Sequence, residues 1–574
     1  GTTTTPIMNA PGPGVAFTCD ATTPPASTPL PRLSQAQYVN TLHDIVKFAL
    51  GGDEGATTAV LSAPDAMLAM ADYPVDEHAK TPRDRFGTYR RMNQEVQDAH
   101  VRSTYAMAIA VGTQLTTSQK LGTVVGACAT DADTSNDATC ITSFITNFGL
   151  RALRRPLTPD EVTFYRGFYG TSNAIDPAAF ADVIGGFLTA PQFLYIVEHG
   201  DTPVANKANV YALTSYEIAS RLSYQFIQSM PDAALLAAAA DGSLIKNPTV
   251  YAAQVDRLLA DPRAKTTFDE FFFDYFKLFQ SDIRNLVGLD ARNGNATFKA
   301  FAGTDLPSST LGTEMQTELV DMSRYFTFTK PGSLSSLLTT DYSFAKTADL
   351  AKIYDIGVWN GTSEPPKFPA DTRPGFLTRA AFLTSGGVGT RPIMKGVFIR
   401  KFLLCDDVPD PPANAANTPI DTSTKNTRQA VEGITEQEGT SCTVCHKSLI
   451  NPLGFSTEIF DALGRARKDQ PLFDATGNIT TRVPVDAHTV PQVVSGDMTE
   501  SSGPADVVRL INSSAKAHAC FARNYFRFTF RRLDDPATDG CALERLRQKV
   551  MHGTLSDAFR DVALTDEFKS RNFQ

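Results

Sequence analysis

No stretch of this 574-residue chain is apolar for long enough to cross a bilayer. The most apolar run, Val183 to Val197, is broken by Gly185, Gly186 and Pro191, whereas a spanning helix needs about 20 consecutive apolar residues. Positive charge is also short. Lys+Arg 53 against Asp+Glu 62 gives a formal net charge of -9, which excludes the broad basic surface that nucleic acid or anionic lipid requires. Alternating apolar runs are scarce apart from Ile479 to Val485, so a sheet-based fold is excluded and a mainly α fold is expected. The common catalytic signatures are missing too: there is no His-Glu-x-x-His, no Gly-x-Ser-x-Gly and no phosphate loop ending in Gly-Lys-Ser/Thr. The Gly-rich segment Ser385 to Thr390 lacks dinucleotide-binding spacing and reads as a tight connection. No repeat of fixed period is present.

What is present is the composition of a globular chain, 42% hydrophobic and 20% charged, in a length that calls for several lobes rather than one core. Helix starts are legible. Ser34 to Gln37 and Thr214 to Glu217 have capping-box spacing, and Thr158-Pro159-Asp160-Glu161 adds proline in the first turn and acid at the positive end of the dipole. Val255, Leu258 and Leu259 share one helical face, as do Phe521, Tyr525 and Phe528. Phe268, Phe271, Phe272, Phe273, Phe276 and Phe279 mark a buried helix and read as core. The first residues, Gly1 to Pro31, are rich in Thr, Pro, Ala and Gly and are expected to form a flexible leader, any signal peptide having been removed before them.

Eight cysteines remain to be placed. Cys128 and Cys140 bracket a short polar loop and are expected to pair. Cys520 and Cys541 flank the turn Asp534-Asp535-Pro536 and are expected to pair as well. Cys19 and Cys405 are then left over, and a bridge between them would tie the leader to the body. Disulfides belong to oxidising compartments, so the expected location is periplasmic or extracellular.

The last two cysteines carry the chemistry. Cys442-Thr443-Val444-Cys445-His446 is Cys-x-x-Cys-His, the pattern of c-type haem attachment. Two thiols a helical turn apart can add to the two vinyl groups of one porphyrin, and the adjacent His446 can then ligate the iron. A structural zinc site needs four closed ligands, and no second Cys pair follows at finger-like spacing. A redox dithiol sits in a βαβ setting, whereas here a Pro-rich stretch, Asp406 to Ser441, runs into the motif. One covalent haem c is therefore the expected cofactor. Arg465 and Arg467 have the guanidinium fork that suits haem propionates, and the alternative is that they are solvated helix charges. The iron's other axial ligand is open between Met498, His488, Met394 and His518, or no ligand at all.

Small c-type cytochromes resemble this region in two respects. In them a proline carbonyl shortly after the motif accepts the imidazole N–H, which by that resemblance makes Pro452 the supporting group, and a methionine further downstream ligates the iron, the chain order of Met498. On a larger scale, Leu33 to Thr41, Arg154 to Thr158, Ala190 to Tyr195, Leu213 to Tyr224, Cys442 to His446, Asn451 to Phe455 and Phe460 to Arg465 occur in that order. As a set they are similar to a family of large secreted bacterial proteins built from successive domains of unknown function with a cytochrome c-like haem motif. The resemblance implies an extracytoplasmic haem protein of one integrated helical architecture, and it supplies no reaction. Where members of that family carry a basic or small residue, this chain has Met394.

The expected organisation is a multi-lobed helical architecture with an embedded cytochrome c-like haem domain: a leader over 1–31, a helical domain over 32–127, a disulfide-bracketed loop over 128–140, a small helical domain over 141–200, a central helical domain over 201–370, the haem domain over 371–500 and a C-terminal helical domain over 501–574. The expected function is electron transfer to a redox partner protein. The alternatives are a haem enzyme of peroxidase or oxygenase type with an open iron site, and a surface component that carries haem in an oligomer or assembly. A cytochrome domain needs only about 100 residues, so most of the chain lies outside it.

Overall fold

A computed structural model describes residues 16–80, 87–279, 286, 288–409, 411, 420–474 and 476–573. Helix accounts for 54% of the chain and strand for 5%, so the mainly α expectation holds. The strands do no more than close loops. Thr202–Pro203, Val210–Ala212 and Ser570–Asn572 form one small antiparallel sheet with Val210–Ala212 in the middle. Asp469–Phe473 pairs with Ile479–Pro484 as a hairpin, where the alternating pattern had pointed. Among the described residues no helix is long and apolar enough to cross a membrane.

The chain divides into two compact units instead of the seven consecutive segments expected. One is assembled from Gly1–Cys19, Phe268–Phe526 and Asp539–Asp561, the other from Asp20–Thr267, Arg527–Thr538 and Val562–Gln574. The residues of 501–574 are thus shared out between the two rather than forming a domain of their own.

In the first unit the aromatic residues read as core are core. Phe268 stacks on Phe559 with centroids 4.1 Å apart, and Phe271 meets Phe521 edge-on at 5.5 Å. Phe268, Phe271, Phe272 and Phe276 are buried, while Phe273 and Phe279 are half-buried. In the second unit the helices Asp98–Leu115, Asp137–Ala152 and Pro177–Leu188 pack around Phe144, Phe148, Phe180 and Phe187. Gly112 lets the first of them lie against the Ala181 carbonyl, which a Cβ there would meet at 2.8 Å. Both capping boxes read from the sequence form, at Ser34 and Thr214, and the helix start read at Thr158 proves to be a third.

Two expectations about the N-terminal segment and the cysteines are overturned. Residues 1–15 lie outside the described residues, but 16–31 are tied down. The Phe17 N–H donates to Glu544 Oε2 at 3.0 Å, and the Pro25 carbonyl accepts from Asn572 Nδ2 at 2.6 Å. Cys128 pairs with Cys140 as expected. Cys541, however, pairs with Cys19, and Cys520 pairs with Cys405. The first pairing follows from close backbone contact: a Cβ on Gly540 would stand 1.9 Å from the Thr18 carbonyl oxygen, so only glycine lets Thr18 approach and bring Cys19 onto Cys541. The second follows from the turn after Ile399–Leu403, where Cys405 takes a positive φ of 54° and faces the Lys516–Phe530 helix. Three disulfides are the chemistry of an oxidising, extracytoplasmic compartment.

Candidate functional site

The Cys-x-x-Cys-His motif lies in the first unit on a short helix, Ser441–Cys445, that begins after the extended residue Thr440. Cys442 and Cys445 are the two cysteines without a disulfide partner, and both are half-buried. Val444 between them is 72% exposed, so the motif faces solvent rather than the core.

From His446 the chain changes pitch. His446–Ile450 is a π-helical turn, and a regular helix resumes over Asn451–Phe455. π-Turns are rare and concentrate at functional sites. Here the extra residue brings Asn451 beneath His446, and both parts of Asn451 hold it. The Asn451 backbone N–H donates to the His446 carbonyl, and His446 Nδ1 stands 3.0 Å from Asn451 Oδ1.

The orientation of that amide fixes the tautomer of the imidazole. Asn451 Nδ2 donates to Thr435 Oγ1 at 2.9 Å and to Glu436 Oε1 at 2.8 Å. A carboxylate only accepts, so the amide NH2 must face Glu436 and the carbonyl oxygen must face His446. Nδ1 is then the protonated nitrogen, and Nε2 presents its lone pair. Asn451 itself is fully buried. The Thr435 hydroxyl passes its own proton to the Val431 carbonyl at 2.7 Å, so the chain of hydrogen bonds is complete.

The motif-bearing segment is fixed against the Pro392–Phe398 helix by two glycines at a backbone crossing. A Cβ on Gly396 would stand 2.0 Å from the Ile450 carbonyl oxygen, and one on Gly454 would stand 1.9 Å from that of Pro392. Below the crossing, the buried Lys395 donates to Thr457 Oγ1 at 2.6 Å and pairs with Glu458 at 3.4 Å, and burial holds the Lys395 ammonium below its ordinary range. Arg400, also buried, gathers carbonyls from two places: Leu449 in the π-turn, and Pro491 and Gln492 in the loop that follows the hairpin.

The remaining sequence candidates fall elsewhere. Pro452 is buried in the first turn of its helix, but its carbonyl accepts the Ser456 N–H at 3.4 Å within the helical ladder, so the imidazole's partner is Asn451 instead. Arg465 is neither a free fork nor a solvated charge. It pairs with Asp461 at 2.7 Å and Asp305 at 2.8 Å and donates to the Phe301 and Ala302 carbonyls. Arg467 pairs with Glu458 at 2.9 Å. Met498 is 66% exposed in the loop closed by the Thr489 to Ser501 bridge, and His488 at the other side of that loop faces Glu500 at 3.4 Å. Met394 is half-buried on the Pro392–Phe398 helix. Gly396 and Pro392, four residues apart, share the face turned to the motif, and Met394, about 200° round from Pro392, points away from it. His518 is buried next to Ser335 Oγ.

Asn451, Arg400 and the Gly396 and Gly454 pair were not singled out from the sequence. A visible signal was the Asn-Pro-Leu-Gly run itself, in which a buried asparagine accompanies a helix-starting proline and a contact glycine. Among the described residues no three His, Cys, Asp or Glu side chains gather to hold a metal ion, so Cys442, Cys445 and His446 do not converge as the closed ligand set of a structural zinc site would.

Three family models match the chain. Residues 140–198 match PSD5, a protein of unknown function (DUF1595); residues 213–356 match PSD4, a protein of unknown function (DUF1592); and residues 373–470 match PSCyt3, a protein of unknown function (DUF1588). The last match contains the motif, Asn451 and Arg465, and it ends before His488 and Met498. No curated protein and no solved structure matches.

Proposed function

We propose that this chain is an extracytoplasmic c-type haem protein, periplasmic or extracellular, that carries one haem on Cys442 and Cys445 with His446 as axial ligand and passes electrons to a redox partner protein. The observation that carries this reading is that Cys442 and Cys445 stay unpaired while the other six cysteines are bridged. Beside them stands an imidazole whose Nδ1 is committed to Asn451. The cytochrome-like name of the PSCyt3 match supports the same reading.

The residues present fit the group. Thioether formation consumes one thiol at each vinyl carbon, and both thiols are available. Asn451 holds the imidazole in the tautomer that leaves Nε2 free to ligate, and its hydrogen bond to Nδ1–H raises the basicity of that nitrogen. Glu436, through Asn451, lends negative charge to the same side of the ring. When bound, the haem supplies a one-electron iron couple whose potential depends on axial ligation and burial. Arg465 is not free to meet a propionate, being spent on Asp305 and Asp461, while Arg467 pairs with Glu458 and keeps a buried Nη1 with no hydrogen-bond partner among the described residues.

The test is a haemochrome spectrum of protein made in cells that mature c-type cytochromes, taken after denaturation and acid extraction of loose haem. Retained haem in the natural chain, and its loss in Cys442→Ser with Cys445→Ser, is the expected result. Haem that extracts completely from the natural chain overturns the reading. Carbon monoxide added to the reduced protein then separates the functions. An unmoved Soret band supports the six-coordinate carrier, and a shifted band replaces it with the enzyme alternative.

A further inference from the structure

The second unit contains a cleft of about 660 Å³ that the haem reading does not use. One wall is a stripe of the Gln35–Ala49 helix. Asn40, Asp44, Lys47 and Phe48 recur there at helical spacing, on the side away from the buried Leu42, Ile45 and Val46. Facing this stripe are Ser229 to Ala233, Arg263 and Arg151, the last in the final turn of the Asp137–Ala152 helix. Phe48, Met230 and Pro231 give the cleft its apolar surface.

The charged groups on these walls have partners until Arg151 is reached. Lys47 Nζ stands 2.7 Å from Glu54, and Arg263 pairs with Asp261 at 2.8 Å and with Asp44 at 3.2 Å. Asp44 also accepts the Ser229 hydroxyl at 2.6 Å, and His43 lies between Asp44 at 3.2 Å and Glu54 at 2.8 Å. Asp232 accepts two N–H groups of Arg257, at 2.6 and 3.0 Å. Arg151, by contrast, makes no hydrogen bond and no ion pair among the described residues, and its guanidinium carbon lies 4.7 Å from the centre of the Phe48 ring. A helix C-terminus favours a cation, but it satisfies none of the N–H groups here. The side chain is half-buried, and desolvation holds it below the ordinary arginine range, offset in part by the charge of Asp232 acting through space. Its nitrogens are nevertheless open on the cleft wall, since none is among the enclosed, unpartnered atoms of the described residues.

We propose that this cleft binds a small organic carboxylate of single negative charge, its carboxylate held by the Arg151 guanidinium and its apolar body lying against Phe48, Met230 and Pro231. The planar fork of an arginine with all its donors unused matches the two oxygens of a carboxylate. Stacking on Phe48 fixes the plane of that fork in advance. Asp44 and Asp232 on the same walls repel a second negative charge, which selects a monoanion over a phosphate ester or a dicarboxylate. The volume is that of a small-molecule site. The proposal is independent of the haem reading.

The experiment uses three probes with one ring: benzoate, the neutral benzamide, and phenyl phosphate, whose second charge is mostly present at neutral pH. Equilibrium dialysis of the full chain at neutral pH is expected to show saturable binding of benzoate, about ten-fold tighter than of benzamide, the worth of a hydrogen bond to a charged group at a half-exposed site. Phenyl phosphate is expected to bind more weakly than benzoate. Arg151→Gln is expected to remove the preference for benzoate over benzamide while leaving the thermal transition in place. Ala233→Trp, at an exposed position on the cleft wall, is expected to weaken benzoate by at least about ten-fold. No saturable binding, benzamide held as tightly as benzoate, phenyl phosphate held more tightly, or a preference that survives Arg151→Gln overturns the proposal. If Arg151→Gln fails to fold, the order of the three probes in the natural chain and the Ala233→Trp result decide it.

Discussion

The first unit places a cysteine and a histidine close in sequence in two settings, adjacent as Cys445 and His446 in the motif and two residues apart as His518 and Cys520 in the Lys516–Phe530 helix. In the helix both are put out of use. Cys520 is buried and bridged to Cys405, and His518 is buried, its Nδ1 without a partner among the described residues and its pKa pushed down to about 4 by desolvation and then by Arg547. In the motif both remain available. Cys445 is half-buried and unbridged, and His446 is held by one well-made hydrogen bond that leaves its other nitrogen open. The residue types are the same, and what differs is spacing and burial. Cys442 and Cys445, at i and i+3 of Ser441–Cys445, stay unbridged and half-buried.

The sharpest way to break this contrast is to open the structural bridge. Cys405→Ser with Cys520→Ser frees a crosslink spanning 115 residues and is expected to cost about 4 kcal/mol, seen as a lower urea midpoint. The matched change at the motif, Cys442→Ser with Cys445→Ser, is expected to stay within about 0.5 kcal/mol of the parent, measured without haem. Equal losses in the two doubles would show that the motif thiols are structural.

The two histidines separate next, by pH. The unfolded chain takes up a proton at the ordinary value near 6.5, before the buried His518 does near 4. The stability that His518 confers is therefore whole above about pH 6.5 and is lost as the pH falls from there toward 4, on the order of 3 kcal/mol. Denaturant midpoints of His518→Phe across that window should lose this slope, whereas His446→Phe should keep it. A smaller effect is expected at Asn451→Ala, about 2 kcal/mol, because it strips partners from the buried Thr435 hydroxyl and the half-buried Glu436 carboxylate. Nitrogen NMR of the same variant should show His446 losing its preference for the Nδ1 proton.

Local features of this molecule could be read from local sequence. The caps at Ser34, Thr158 and Thr214 depend on four consecutive residues, and Cys128 to Cys140 on a short loop. The other two bridges join positions 522 and 115 residues apart, and which cysteines meet was decided by tertiary contact: Thr18 reaching Gly540, and the turn at Cys405. The motif was visible, but its support was not. Pro452 was the candidate by resemblance to small c-type cytochromes, and the group that meets the imidazole is Asn451, one position earlier, at the end of the π-turn over His446–Ile450. Likewise the guanidinium of Arg465 suggested an anion, and the carboxylates that satisfy it, Asp305 and Asp461, are brought together only by the fold.

The crossing of Gly396 and Gly454 has a mechanical consequence. At these two points backbone lies on backbone, with no side chain between to tilt or compress. A shift of either segment by a fraction of a residue would drive a carbonyl into its neighbour, so the two can travel only as a single part. Arg400, four residues beyond Gly396 and gripping Leu449 on one side and Pro491 and Gln492 on the other, is bolted to the same part. A push delivered at Cys442 to His446 therefore has no soft element in which to dissipate before it reaches the loop at 491–493.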